Sequence, residues 1–171
     1  SGLGHSLIVL ESGDLVTFGM ARQYQLGLDY IKEKERRNGK TEADLGDPID
    51  RHSPQVVPAL KALGDRMGNA AAGSSHTLAV SQSGHVYSWG SGAFGKLGHG
   101  NESGHSTPCC VDALAGKPVS QIACGSRHTA VLLASGEVHT WGDKENGVVG
   151  HGDVEGHQYL PQALELGLLP L

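Results

Sequence analysis

Apolar residues in this chain come in short runs, each closed by a turn-forming pair, and the runs recur at fixed distances. Leu78-Ala79-Val80 and Val86-Tyr87-Ser88-Trp89 are rich in strand formers and flank Ser81 to Gly84, where Gly84 supplies the positive φ of a tight turn. This pattern predicts a β-hairpin. Leu7 to Leu10 and Ala130 to Leu133 repeat its first run, and they are near-continuous rather than alternating, the pattern of strands covered on both faces.

Aligned on histidine, three copies share one frame. Gly2, Gly73 and Gly125 stand three residues before His5, His76 and His128; a Ser-Gly pair follows at Ser12-Gly13, Ser83-Gly84 and Ser135-Gly136. An aromatic-Gly pair comes next at Phe18-Gly19, Trp89-Gly90 and Trp141-Gly142, then an aliphatic-Gly pair at Leu26-Gly27, Leu97-Gly98 and Val149-Gly150. Identical offsets in three copies mark a structural repeat. Another strand is expected before each histidine, clearest at Val119 to Cys124. After each aliphatic-Gly pair come a loop, a proline (Pro54 or Pro58, Pro108, Pro161) and an apolar stretch such as Cys109 to Leu114. Four short antiparallel strands per unit describe one blade of a β-propeller, so the expected class is all-β.

The spacing also divides the chain. His128 follows His76 by 52 residues, but His76 follows His5 by 71. The first unit, 1–63, therefore carries a charged insertion at 28–53, whereas the second, 64–115, is regular. The third, 116–171, is regular too and ends from Pro161 with what reads as the start of a further blade. Blocks such as Lys32 to Arg37 cannot build a core. The insertion reads either as a solvated loop or as a projection turning at Asn38-Gly39 to meet a partner, with Arg36 and Arg37 as its candidate contacts; Glu33 and Glu35 interrupt any basic targeting signal there. In the first unit Tyr24 occupies the position held by Gly95 and Gly147, which predicts a different loop path.

Composition narrows the choice of partner. With a net charge of -5 and pI near 6.0, the chain has no basic field to attract a phosphate backbone. Its 26 glycines fall on the repeat frame, so turns rather than disorder account for them. No long apolar run or charged-then-apolar leader is present, which reads as a soluble, intracellular protein, cytoplasmic or nuclear, with no membrane partner. Cys109, Cys110 and Cys124 form no Cys-x-x-Cys pair and read as buried, reduced thiols.

The frame Gly-x-x-His-[Ser/Thr], Ser-Gly-x-Val-x-x-Trp-Gly, Gly-x-Leu-Gly-x-Gly and a downstream proline resembles the regulator of chromosome condensation repeat over nearly the whole chain. The resemblance implies a partial propeller, about three blades of a presumed seven, each of four antiparallel strands. It implies a non-enzymatic protein-interaction module; the alternatives are guanine nucleotide exchange on a Ran-like small GTPase, or substrate recognition within a larger ubiquitin ligase or kinase. In an exchange factor of the family a protruding β-wedge meets the GTPase. A light-sensing member carries Gly-Trp-Arg-His-Thr, with its Trp and Arg on the propeller face that forms the dimer contact. Here Gly125-Ser126-Arg127-His128-Thr129 matches except at Ser126, which argues against light sensing. Arg127 becomes the leading partner contact, with Ser126, Ser74 and Ser75 beside it. Three blades would also leave strand edges open, so pairing with the remaining blades or self-association is expected.

Other candidate chemistry falls away on context. Gly90 to Gly95 matches the dinucleotide fingerprint, but no amphipathic helix follows to hold a phosphate. Ser75 and His76 are neighbours along a strand, so they point to opposite faces, and no acid recurs to orient the imidazole. Asn101-Glu102-Ser103 is a glycosylation sequon without a secretory route. The loops at 97–105 and 149–157 pair His99 with His105 and His151 with His157, but neither contains cysteine, and no metal site is expected. The frame histidines are expected to bond turn backbone within their own blade. Neither a catalytic group nor a cofactor is predicted.

Overall fold

The computed structural model of the chain describes residues 2–28, 50–152 and 156–165. Its strands form three antiparallel sheets. The first holds β1 (His5–Val9), β2 (Leu15–Gly19) and β3 (Arg51–Val56), in that order. A five-residue helix, α1 (Pro58–Ala62), starts on a proline that needs no N–H there and buries Leu60. The second sheet runs β4 (Met67–Ala72), β5 (His76–Ser81), β6 (Val86–Gly90) and β7 (His105–Cys110). β8 (Val119–Cys124), β9 (His128–Leu133), β10 (Val138–Asp143) and β11 (His157–Ala163) make the third. Each strand pairs with its neighbour in sequence, the up-and-down order of a propeller blade.

The predicted hairpins are present in register: Leu78 faces Ser88, Ala79 faces Tyr87 and Val80 faces Val86. Each sheet carries an irregularity at the same point of the frame, between Thr17 and Gly19, Ser88 and Gly90, and Thr140 and Gly142. The frame aromatics Phe18, Trp89 and Trp141 sit at these bulges. A bulge re-aims a side chain, and here it accompanies the burial of both indoles.

The core lies between sheets. Leu15, Val57, Leu60, Met67, Ala79 and Trp89 fill the junction of the first and second. Between the second and third, Leu78, Val80, Val86, Val111, Leu114, Val131, Leu133 and Trp141 pack together. β5 serves both clusters because alternate residues of a strand point to opposite faces, and all six of its residues are buried. The expectation of strands covered on both faces is met in β5. In β9 burial alternates instead, with Thr129, Val131 and Leu133 buried and the intervening residues half-buried.

Two sequence expectations change and a third holds in part. Pro161 lies within β11, so residues up to Ala163 complete the third sheet rather than opening another blade. β3 begins at Arg51, which pairs with Gly19, so the end of the inserted segment belongs to the first sheet. Tyr24 adopts φ 61, the left-handed turn that Gly95 (φ 71) and Gly147 (φ 68) adopt. Its N–H bonds the Ala21 carbonyl, and its own carbonyl accepts from Gly27, as Gly95 does with Gly92 and Gly98. The loop shares that hydrogen-bonded turn but not the whole path: one residue earlier, Gln23 lacks the left-handed φ that Phe94 (φ 66) and Asn146 (φ 58) adopt. Residues 29–49, which include Arg36, Arg37 and Asn38-Gly39, lie outside the described residues. Among the described residues, no helix is long and apolar enough to cross a membrane.

Candidate functional site

Two arrangements stand out where the second sheet meets its neighbours, and the first is structural. His76 Nε2 lies 3.0 Å from the Thr129 hydroxyl of the third sheet, and that hydroxyl donates to the Lys96 carbonyl at 2.9 Å. Trp141 Nε1 donates to the same carbonyl, also at 2.9 Å. One junction earlier, His5 Nε2 sits 2.8 Å from the Thr77 hydroxyl, which donates to the Gln25 carbonyl together with Trp89 Nε1. Because each threonine proton is committed to a carbonyl, the histidine must carry its proton on Nε2 and donate it. His5 and His76 thus latch one sheet to the next instead of bonding turn backbone within their own blade. Glycine spacing follows from this geometry: a β-carbon on Gly73 would overlap the His76 ring, and one on Gly98 would stand 2.9 Å from Trp141 Nε1. Burial pushes the His5 imidazole down to about 4 and that of His76 down to about 3.

The second arrangement lies at the loop end of the sheets and contains Arg127. Its guanidinium stacks 4.7 Å from the centroid of the Phe94 ring, and Nη1 reaches Asp143 at 3.3 Å and Glu145 at 3.2 Å. Phe94 is held up by its backbone: it sits at φ 66 in the 3-10 turn Ala93–Gly95. His157 meets the ring edge-on at 5.1 Å and pairs with Asp143 at 3.3 Å. Lys96, buried beneath, donates to Ser91 Oγ and lies 5.7 Å from the Phe94 centroid. Burial, then the nearby Arg127 charge, pushes the Lys96 ammonium down. For Asp143, burial raises the carboxyl, but the Glu145 N–H, Arg127 and His157 together hold it below its usual value. Arg127 remains half exposed above a buried acid, an aromatic and a second cation, so its position is fixed while its outer face meets solvent.

Ser74 Oγ donates to the Ser126 carbonyl at 2.5 Å, which puts Ser74, Ser75, Ser126 and Arg127 on one loop face across the second and third sheets. Ser126 and Arg127 are exposed; Ser74 and Ser75 are half-buried, and the Ser75 carbonyl accepts from Ser91. Sequence reasoning missed Phe94, Asp143 and Glu145, and weighed His157 only as a metal ligand beside His151. Their signal was present as differences between copies: Asp143 and Glu145 stand where the second unit has Ser91 and Ala93. The dinucleotide-like segment Gly90 to Gly95 leads into this 3-10 turn and is followed by no α-helix before β7. All three cysteines are free thiols, and burial pushes that of Cys124 up to about 12.

Known proteins carry the same frame. The regulator of chromosome condensation (RCC1) repeat matches residues 83–132 and again 119–148. The ultraviolet-B receptor UVR8 of Arabidopsis thaliana is 40% identical over 167 residues, 96% of this chain but 33% of the receptor. Human E3 ubiquitin-protein ligase HERC2 is 36% identical over 166 residues, 96% of this chain and 3% of the ligase. Among solved structures, human WBSCR16 superposes with a TM-score of 0.76 at 25% identity, covering 96% of this chain and 36% of that one. Prp20p from Saccharomyces cerevisiae superposes at 0.75 with 22% identity, covering 96% and 37%. The chain thus spans a third or less of the curated relatives named here. Repeat frame, sheet order and these matches agree: the chain belongs to the regulator of chromosome condensation repeat family.

Proposed function

We propose that this chain is a non-catalytic protein-interaction module whose contact surface is the loop face around Arg127, flanked by Ser126, Ser74 and Ser75. The observation that carries the reading is the fixed guanidinium. A cation stacked on Phe94 and held by Asp143 and Glu145 has lost much of its side-chain freedom before any partner arrives, so binding costs less ordering entropy. Arginine and aromatic residues are also the types that dominate interface energetics. Quantitative affinity capture with the intact protein tests this by comparing wild type, Arg127→Ala and Lys117→Ala, an exposed control at the opposite end of β8. Recovery of a specific partner should fall at least tenfold for Arg127→Ala alone, with thermal midpoints unchanged. Equal recovery by all three proteins rejects the surface.

A second reading, substrate recognition within a larger ubiquitin ligase, is favoured by one observation: HERC2 and HERC3 are 36% and 34% identical to nearly the whole chain. In that setting the same arginine face would meet the substrate. Nucleotide exchange on a Ran-like GTPase draws on fold alone, since Prp20p, whose binding to Gsp1p has been examined, shares only 22% identity. Release of a fluorescent guanine nucleotide from a panel of small GTPases tests it, and absence of acceleration by the intact protein rejects it. Arg36 and Arg37 stay with that reading as candidate contacts from the inserted segment. Partner blades or a second copy would pair on the outer faces of the first and third sheets.

A further inference from the structure

The loop between β6 and β7 brings His99 against His105, the first residue of β7, and Cys109 farther along that strand adds a third group. Cys109 faces Ser88 directly across the β6–β7 ladder. Ser88 Oγ in turn meets His99 Nε2 at 2.9 Å while donating its own proton to the Leu97 carbonyl at 2.7 Å. His99 and His105 stack edge to face with centroids 4.8 Å apart. One donor atom from each of His99, His105 and Cys109 lies within 4.8 Å of the other two, and all three residues are half-buried. We propose that His99, His105 and Cys109 form a three-ligand site for a zinc-type divalent cation, with a water completing a tetrahedron.

The chemistry of the donors fits that class. Two imidazoles and one thiolate are the borderline-soft set that zinc takes in four-coordinate sites. Ser88 has its hydroxyl proton committed to Leu97, so it accepts from His99 Nε2, and the Nδ1 lone pair of His99 is left for the metal. That is the outer hydrogen bond that orients ligating histidines elsewhere. On binding, the Cys109 thiol releases its proton to solvent as the sulfur–metal bond forms, and the ligand atoms draw in from their present spacing.

The third sheet supplies an internal comparison. His151 meets the Thr140 hydroxyl at 2.9 Å, just as His99 meets Ser88. There the likeness stops: Gln162 faces Thr140 where Cys109 faces Ser88, and His157 is turned to Asp143 and Phe94. Among the described residues, the second sheet alone therefore assembles three ligands from this frame.

Cobalt(II) titration of the reduced intact protein is the direct experiment, because thiolate-to-cobalt charge transfer reports a cysteine ligand and visible ligand-field bands report tetrahedral geometry. One equivalent should raise both signals, and one equivalent of zinc should abolish them. Cys109→Ser should remove the charge-transfer band, and His105→Gln should weaken cobalt binding at least tenfold. His151→Gln and Cys124→Ser should leave both signals intact. Since cobalt-free melting curves of the variants identify any that fail to fold, the wild-type spectrum remains decisive by itself. No charge-transfer band in the wild-type protein, or a band that survives Cys109→Ser, overturns the site.

Discussion

At the scale of single residues, the latch assigns energies to atoms. Thr129→Val keeps the shape but removes the hydroxyl, leaving the buried His76 Nε2 proton without an acceptor and the Lys96 carbonyl with one donor fewer. A buried polar group stripped of its partner costs about 1–3 kcal/mol, so denaturant melts should show a loss near 2 kcal/mol. If the latch is a true pair, a double-mutant cycle with His76→Ala will be non-additive. Tyr24 points the other way. It holds a left-handed backbone at φ 61 that its counterparts fill with glycine. Tyr24→Gly relieves a strain of about 1–2 kcal/mol and gives back part of it as chain entropy. A net gain of roughly 0.5–1 kcal/mol in the same melts is expected.

Elements show what could be read from the chain beforehand and what could not. Hairpin register was legible because strand formers, a Ser-Gly turn and an aromatic-Gly pair repeat at constant offsets, and local chemistry alone specifies such a turn. The latch was not, since His76 and Thr129 are 53 residues apart and nothing in one copy names its partner in the next. Its trace was nevertheless in the frame, where Thr77 and Thr129 each follow the histidine that belongs to their own copy. Likewise the cysteine opposite Ser88 lies outside the segment that holds His99 and His105, and only strand pairing brings it in. Arg127 stood out in the chain as a difference between copies, but its setting on Phe94 required the turn of a different sheet. The sheet junctions also predict acid lability. An unfolded histidine titrates near 6.5, whereas His5 and His76 titrate at about 4 and about 3 in the junctions. Between those values the unfolded chain binds more protons, so stability falls as pH drops from 6.5 towards 4. Each histidine contributes on the order of 2 kcal/mol to that loss by pH 4.5, and melts of His76→Gln across this range should be flatter than those of wild type.

Across the whole molecule, stability is shared through the middle sheet. Stacked repeats couple only to their neighbours, so cooperativity depends on how strongly each interface ties adjacent units. Here β5 gives Leu78 and Val80 to one interface and Ala79 to the other, and neither core can open without disturbing that strand. The two tryptophans of the chain report one interface each, Trp89 in the first and Trp141 in the second, both fully buried. Trp89→Phe and Trp141→Phe therefore give single-tryptophan proteins that watch the two junctions separately. We expect Leu78→Ala, placed in each background, to destabilise by about 2–4 kcal/mol through its cavity. It should move both fluorescence transitions together, although Leu78 lies in only one of the two clusters. Should only the Trp141 signal shift, the sheets would be energetically separate units, and the rigid platform that the Arg127 surface relies on would reduce to the second junction alone.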